Sequence, residues 1–266
     1  MRPGYLFRGW YSNGEMTSAY DFSSPVTEGL TLYAKWECTI ADSWEQIIAS
    51  VNDGTYREKY QVGDTKTLDL GPEGFIEMQI VAFDADERAD GQGKAAITWI
   101  AVQLLKTGHR MNPLRETISR DPLYKNGTGV VGGWSECEMR IWLKEYVKPL
   151  IPDPVRGAIL PVTKYNYSMN QTGNGVKDVA STDEIWIPSS HEIFGKDGSE
   201  TKGPDYSSFF SVEENRIKYK SPGMSDIRWW LRTARESREF WLVSRGQGTS
   251  LEIVSAEFGV VLGFCM

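Results

Sequence analysis

The chain has 266 residues and 30.0 kDa, with 24% charged and 40% hydrophobic residues. That is ordinary globular composition and argues against a disordered chain. Twenty-nine Lys and Arg against 36 Asp and Glu leave a net charge of −7, which speaks against a protein that binds nucleic acid over its whole surface. Three cysteines exclude a disulfide scaffold, two histidines leave little for a histidine-rich metal site or triad, and no apolar run approaches the roughly 18 residues of a membrane span.

Residues 4–36 form a small β unit in this reading. Leu6, Arg8 and Trp10 alternate with Phe7, Gly9 and Tyr11, as a strand requires. Ser12-Asn13-Gly14 is a turn, Asp21 to Val26 a short strand and a break, and Leu30 to Trp36 alternates again. The first eight residues lack the apolar core of a signal peptide. The opening is read as lying inside a longer protein.

After a joint at Glu37 to Asp42, Ser43 opens a helix as a capping box with Gln46, and Trp44, Ile47, Ile48 and Val51 share its apolar face. Strands are expected at Tyr60–Val62, Thr67–Leu70 and Phe75–Phe83, and the apolar run Ala95–Leu105 suits a buried strand running into a turn, although periodicity leaves its type open. A second helix is expected after Gly132-Gly133-Trp134, with a capping box from Ser135 to Glu138, an apolar stripe of Met139, Trp142, Leu143 and Tyr146, and a stop at Pro149 and Pro152. Arg140 lies beside that stripe, placed to pair with an acid at the core edge. Short strands are expected at Ala158–Val162, Glu184–Ile187, Arg228–Arg232, Phe240–Ser244, Leu251–Val254 and Gly259–Phe264. The polar stretches 166–182 and 195–226 read as long loops.

Three sets of residues are candidates for chemistry. Asp84, Asp86, Glu87 and Asp90 beside Gly91 could supply some of the oxygens calcium wants, without EF-hand spacing, so calcium is a weak candidate for Asp84, Asp86 and Asp90. His191-Glu192 has no second His four residues on and belongs to a helix start rather than a zinc site. Cys38, Cys137 and Cys265 are too dispersed to form a close reactive pair. The charge distribution says more. From Asn215 to Gly248, Arg216, Lys218, Lys220, Arg228, Arg232, Arg235, Arg238 and Arg245 face only Asp226, Glu236 and Glu239, interleaved with Tyr219, Trp229, Trp230, Phe240 and Trp241. Such a patch suits an acidic glycan, a wall polymer or a protein, unless the aromatics turn into the core and the arginines merely solvate the surface. The candidate ligand-binding residues are Tyr206, Arg228, Arg235, Arg238, Trp241 and Arg245.

Two resemblances sharpen the expectation. Gly4, Tyr5, Phe7, Gly9, Trp10 and Tyr11, then Tyr20-Asp21-Phe22, then Thr31-Leu32-Tyr33-Ala34-Lys35-Trp36 resemble the Listeria–Bacteroides repeat. That resemblance implies a β-grasp-like fold, a bacterial extracellular protein and a stalk or spacer role. Tyr60 to Asp64, Gly132 to Ser135 with Met139-Arg140 and Trp142-Leu143, Ile185 to Ser189 with Glu192 to Phe194, Trp229 to Arg232 and Gly259 to Phe264 resemble a bacterial domain family of unknown function found in surface and phage-related proteins. The end of that pattern is similar to C-type-lectin-like folds, which include the formylglycine-generating enzymes and the variable proteins of diversity-generating retroelements. The Arg- and Glu-rich stretch Thr233–Gly248 departs from the residue types usual at diversified positions.

The fold expected is therefore α+β: a β-grasp-like repeat at residues 1–37, then a C-type-lectin-like domain at 38–266 with mixed short antiparallel strands, two main helices and long loops. The function expected is non-enzymatic recognition of an extracellular glycan or protein at a bacterial cell surface, with no cofactor, no nucleic acid and no membrane span in this chain. A structural spacer or fibre-assembly module is the alternative, and an enzyme of the formylglycine-generating type the third reading.

Overall fold

A computed structural model describes residues 5–16, 18–23, 25–27, 29–113, 130–170, 172, 174–195, 200–220, 228–235 and 239–266. The first unit is one antiparallel pair, β1 (Tyr5–Tyr11) and β2 (Tyr33–Cys38), with a bulge between Phe7 and Gly9. In the turn after β1 the Asn13 side chain accepts from the Ser18 amide at 3.1 Å, and Met16, at φ 55°, takes the left-handed conformation. No strand lies between Asp21 and Val26 among the described residues. Trp10, Phe22, Val26, Leu30 and Tyr33 remain exposed, as about 35 residues with one strand pair cannot cover their own aromatics.

Helix α1 (Trp44–Asp53) forms as the capping box requires: the Ser43 hydroxyl accepts from the Gln46 amide, the Gln46 side chain accepts from the Ser43 amide, and Gly54 ends the helix at φ 79°. The short α2 (Tyr56–Lys59) follows, so Tyr60 to Val62 is a helix end and turn rather than a strand. Asp64 sets that turn by accepting from the Gln61 amide at 2.9 Å.

The largest sheet combines both ends of the second unit. Its order is β3 (Thr65–Asp69), β4 (Phe75–Phe83), β5 (Ile97–Ala101), β12 (Gly263–Cys265) and β8 (Ile185–Trp186), antiparallel throughout. The final strand thus fills the slot between β5 and β8. Trp99, Trp186 and Phe264 in this sheet are fully buried.

The second helical region departs from expectation. Gly133–Glu136 is a 3-10 turn, α3 spans Glu138–Trp142, Leu143–Val147 is a π turn, and α4 (Lys148–Leu150) contains Pro149. Ser135 makes no capping box, and its buried hydroxyl has no partner among the described residues. Pro149 cannot donate to the carbonyl four residues back, and the widened π turn before it accommodates the missing bond. Gly133 holds φ 53°, and a Cβ there would stand 2.7 Å from the Ser168 hydroxyl, so the chain turns where only glycine fits.

Two stretches change type. The region expected as a strand at Ala158–Val162 is the end of α5 (Val155–Ala158) followed by the start of β6 (Val162–Met169), because a short apolar run does not distinguish helix from strand. The expected loop at 166–182 is largely a hairpin of β6 and β7 (Gly175–Asp183). Polarity disguised it: the inward positions of β6 include Lys164, Asn166 and Ser168, and most of β7 faces solvent. Helix α6 (Ser190–Phe194) is capped by a Ser189–Glu192 box, and α7 (Glu213–Arg216) lies within the expected long loop. The last sheet orders β11 (Gln247–Ile253), β10 (Glu239–Ser244) and β9 (Trp229–Arg235). Trp134, Trp229, Trp230, Phe210 and Phe240 are buried with Trp99 and Trp186 in one core.

Candidate functional site

The basic, aromatic segment separates into an interior and a surface. On β9, Arg232 is 1% exposed and Arg235, three residues on, is exposed. Arg235 lies over the half-buried Trp241 of β10, 5.2 Å from guanidinium to ring centroid. Arg228 is exposed over Phe258 at 4.7 Å. Arg245 is exposed in the β10–β11 turn at φ 48°. Arg235 pairs opposite Glu239 at one end of β10, whereas Arg245 follows its other end. At about 3.3 Å per residue these ends stand roughly 20 Å apart, so Arg235 with Trp241 and Arg228 with Arg245 occupy opposite ends of the sheet. Arg238 lies outside the described residues. Phe240 and Leu242 turn inward while Trp241 turns out, and the register shift between Trp241 and Val243 buries Val243 as well.

Tyr206 is not on this face. It is 1% exposed and belongs to a buried ionic cluster that residue spacing did not reveal. The Lys164 ammonium donates to Asp86 Oδ1 at 2.5 Å, Glu192 Oε1 at 2.9 Å and the Tyr206 hydroxyl at 3.1 Å. Its three protons are thereby used, and it also stands 3.3 Å from the Trp186 ring centroid. Tyr206 and Thr98 each donate to Asp86 Oδ2, at 2.6 and 2.5 Å. Arg232 grips Glu192 through both terminal nitrogens at 2.6 and 2.7 Å, and donates to Asn166 Oδ1 at 2.6 Å and the Ile187 carbonyl at 2.8 Å. Two cations thus meet two carboxylates with their donors satisfied, the condition under which buried charge is tolerated.

The chain continues outward. Asn166 Nδ2 donates to Ser181 Oγ, Ser181 donates to Asp183, and Asp183 receives Trp134 Nε1 at 3.1 Å and Arg140 Nε at 2.5 Å. Arg140 therefore does find an acid at the core edge.

Burial works to raise the Glu192 carboxyl, but the Arg232 and Lys164 charges and their hydrogen bonds outweigh it and hold the group at about 2. Burial alone would lower the Lys164 ammonium, yet Asp86 and Glu192 raise it. The Tyr206 phenol is pushed well above its ordinary range by burial and then by Asp86 and Glu192. Glu200, 2% exposed, has its carboxyl raised by burial. The Cys137 thiol is pushed up by burial to about 12, and that of Cys265 well above its ordinary value by burial and Asp86.

The calcium candidates do not converge. Asp84 takes the Tyr56 hydroxyl and the Arg57 guanidinium, Asp86 points into the cluster, and Asp90 takes Arg88. Each carboxylate has a protein partner of its own, and no group of three His, Cys, Asp or Glu is placed to hold a metal among the described residues. His191 is buried in α6, and its Nδ1 has no hydrogen-bond partner among the described residues.

Fold and site define a mixed α+β protein of several small antiparallel sheets, with a β repeat ahead of a domain built around buried charge. The model of the family described as Domain of unknown function (DUF6273) matches residues 114–265, more than half of the chain, and the chain belongs to that family. The Listeria-Bacteroides repeat domain matches residues 1–35. A protein of Evansella cellulosilytica named "Putative membrane protein" is 45% identical over 40 residues, 15% of this chain and 6% of that protein. Another from the same organism, named "Putative Gly-rich membrane protein", is 51% identical over 37 residues, 14% of this chain and 4% of that protein. The chain thus spans a small fraction of these curated relatives. No solved structure matches. No helix among the described residues is long and apolar enough to cross a membrane. Strands β3, β4 and β5 lie outside the matched segment, yet share the sheet of β8 and β12 inside it.

Proposed function

We propose that this chain is a non-enzymatic recognition module of a bacterial cell-surface protein, displayed outside the cell and binding a glycan or a protein. The observation that carries the reading is the junction of a Listeria-Bacteroides repeat with the family domain in one chain. In this reading the domains are residues 1–37, β-grasp-like, and 38–266, C-type-lectin-like. The five-stranded sheet supports the second boundary, since β3 would lose its context if the domain began at residue 114. The non-enzymatic assignment draws support from the cluster, whose acids and bases are bonded to one another, and from Cys137 and Cys265, buried and held as thiols. The test is a thermal-shift screen of the whole chain against glycans, wall fragments and calcium, since a ligand that binds only the folded state raises the midpoint. A shift with a glycan or wall polymer is expected. No shift with any of them, together with no captured protein partner, overturns the reading.

The exposed Trp10, Phe22, Val26, Leu30 and Tyr33 favour a second reading, in which the repeat packs on a neighbouring unit and the chain acts as a spacer or assembly module. Light scattering across concentration separates the two, because self-association without a ligand belongs only to the second.

A further inference from the structure

A pocket of about 320 Å³ opens on the side of β6 opposite the ionic cluster, lined by Ala85, Glu87, Lys94, Thr163, Tyr165 and the 203–205 segment. Its three walls each carry one member of the cluster. Asp86 lies between Ala85 and Glu87, Lys164 between Thr163 and Tyr165, and Tyr206 directly after Asp205. Alternation along the backbone turns the cluster residue inward and leaves its neighbours to line the pocket. The walls are also joined by backbone. The Thr163 amide donates to the Glu87 carbonyl at 2.8 Å, and Glu87 pairs with Lys94 across a short bridge. Asp178, at φ 55°, receives the Thr201 and Lys202 amides at 2.7 and 3.1 Å and anchors the third wall. Gly203 has φ 98°, and a Cβ there would stand 3.4 Å from the Tyr165 ring.

We propose that this pocket binds one uncharged pyranose ring of a glycan. The proposal rests on the recognition-module reading and names its ligand class and its site. The volume is at the small end of ligand pockets, suited to a single sugar residue rather than a peptide segment. Glu87 and Lys94 are exposed, and their side chains make no hydrogen bond or ion pair among the described residues, so an acceptor and a donor stand ready for hydroxyl groups. Asp205 offers a second carboxylate and Tyr165 an aromatic surface with a hydroxyl. The Lys202 ammonium lies 5.7 Å from the Tyr165 ring centroid. The lining carries the Glu87 and Asp205 carboxylates against the Lys94 ammonium, which disfavours an anionic sugar and suits a polyhydroxylated ring without negative charge. Walls held by the cluster lose little freedom on binding, the usual advantage of a preorganised site.

The experiment is a glycan microarray probed with the full chain, carrying N-acetylglucosamine oligomers as the uncharged wall-type sugar, neutral N- and O-linked glycans, and sialylated, uronic-acid or N-acetylmuramic-acid glycans as the charged ones. Wild type is compared with Glu87→Gln, Lys94→Met, Tyr165→Ala and Arg235→Ala. Glu87→Gln and Lys94→Met alter exposed groups and keep the fold testable if Tyr165→Ala unfolds; thermal midpoints verify this. The expected result is binding to uncharged glycans that weakens about tenfold or more in the pocket variants and persists in Arg235→Ala. N-acetylglucosamine oligomers or neutral host-type glycans as the bound class identify the source. Binding that survives Glu87→Gln and Lys94→Met but disappears in Arg235→Ala overturns the pocket and leaves the recognition reading standing. Preference for sialylated or uronic glycans overturns the uncharged-ring assignment. Capture of a protein partner with no glycan bound by wild type sinks the sugar site while the module reading holds.

Discussion

Arg232 and Arg235 stand three residues apart on β9 and live in opposite environments. The first is fully buried with its donors bonded to Glu192, Asn166 and backbone carbonyls, and the second lies in solvent over Trp241. The comparison extends to their regions. The interior cluster holds β5, β6, β9, α6 and the 84–86 and 206 segments against one another, whereas Arg235 on the β9–β10 surface lies in solvent over Trp241. What differs is the cost of leaving the charge unpaired, high in the interior and near zero in water.

Substitutions test this difference, and the largest effect belongs to the interior. Arg232→Met leaves Glu192 with Lys164 alone and should cost about 3–5 kcal/mol, or abolish folding, in a urea titration. A loss no larger than that of Arg235→Ala would collapse the contrast. Acid should act next. Glu192 is held at about 2 against an ordinary 4.5, so its stabilisation is fully present above pH 4.5 and is lost as pH falls towards 2. The loss should be on the order of 3 kcal/mol, read from urea midpoints across that window. Glu192→Gln should flatten this dependence, and an unchanged slope in that variant would assign acid sensitivity elsewhere. Ser189→Ala removes the hydroxyl that receives the Glu192 amide and should cost about 1 kcal/mol, sharpening how far α6 positioning depends on its cap rather than on Arg232. The smallest effect is expected from Arg235→Ala, about 0.5 kcal/mol or less, because an exposed cation on an aromatic ring contributes little. A loss above about 2 kcal/mol there would place Arg235 in a hidden network.

Much of the regular structure was legible. The α1 box, strands β4 and β9 to β11, and the helix start at His191-Glu192 follow from capping chemistry and periodicity, which act over a few residues. Expectation failed where the interior is polar. The end of β6 falls in the stretch whose polarity reads as a loop, because Asn166 and Ser168, like Lys164 before them, occupy inward positions that normally hold apolar residues. The 84–90 carboxylates looked like one loop function, yet Asp84, Asp86 and Asp90 point to Arg57, Lys164 and Arg88. Ser135 had the spacing of a cap, but the 3-10 turn from Gly133 to Glu136 removes the geometry that a cap needs.

The sequence by itself determined the α+β character, the repeat at the start of the chain and the capped start of α1, because these depend on local propensity and on motifs contiguous in the chain. Only the tertiary structure decided which charges are interior. Asp86, Lys164, Glu192, Tyr206 and Arg232 are spread over nearly 150 residues, and no local pattern distinguishes a charge that will meet its counter-charge from one that will meet water. That choice is made when the sheets pack. Desolvation then makes each unpaired charge costly, and the arrangement that pairs all of them is the one that folds.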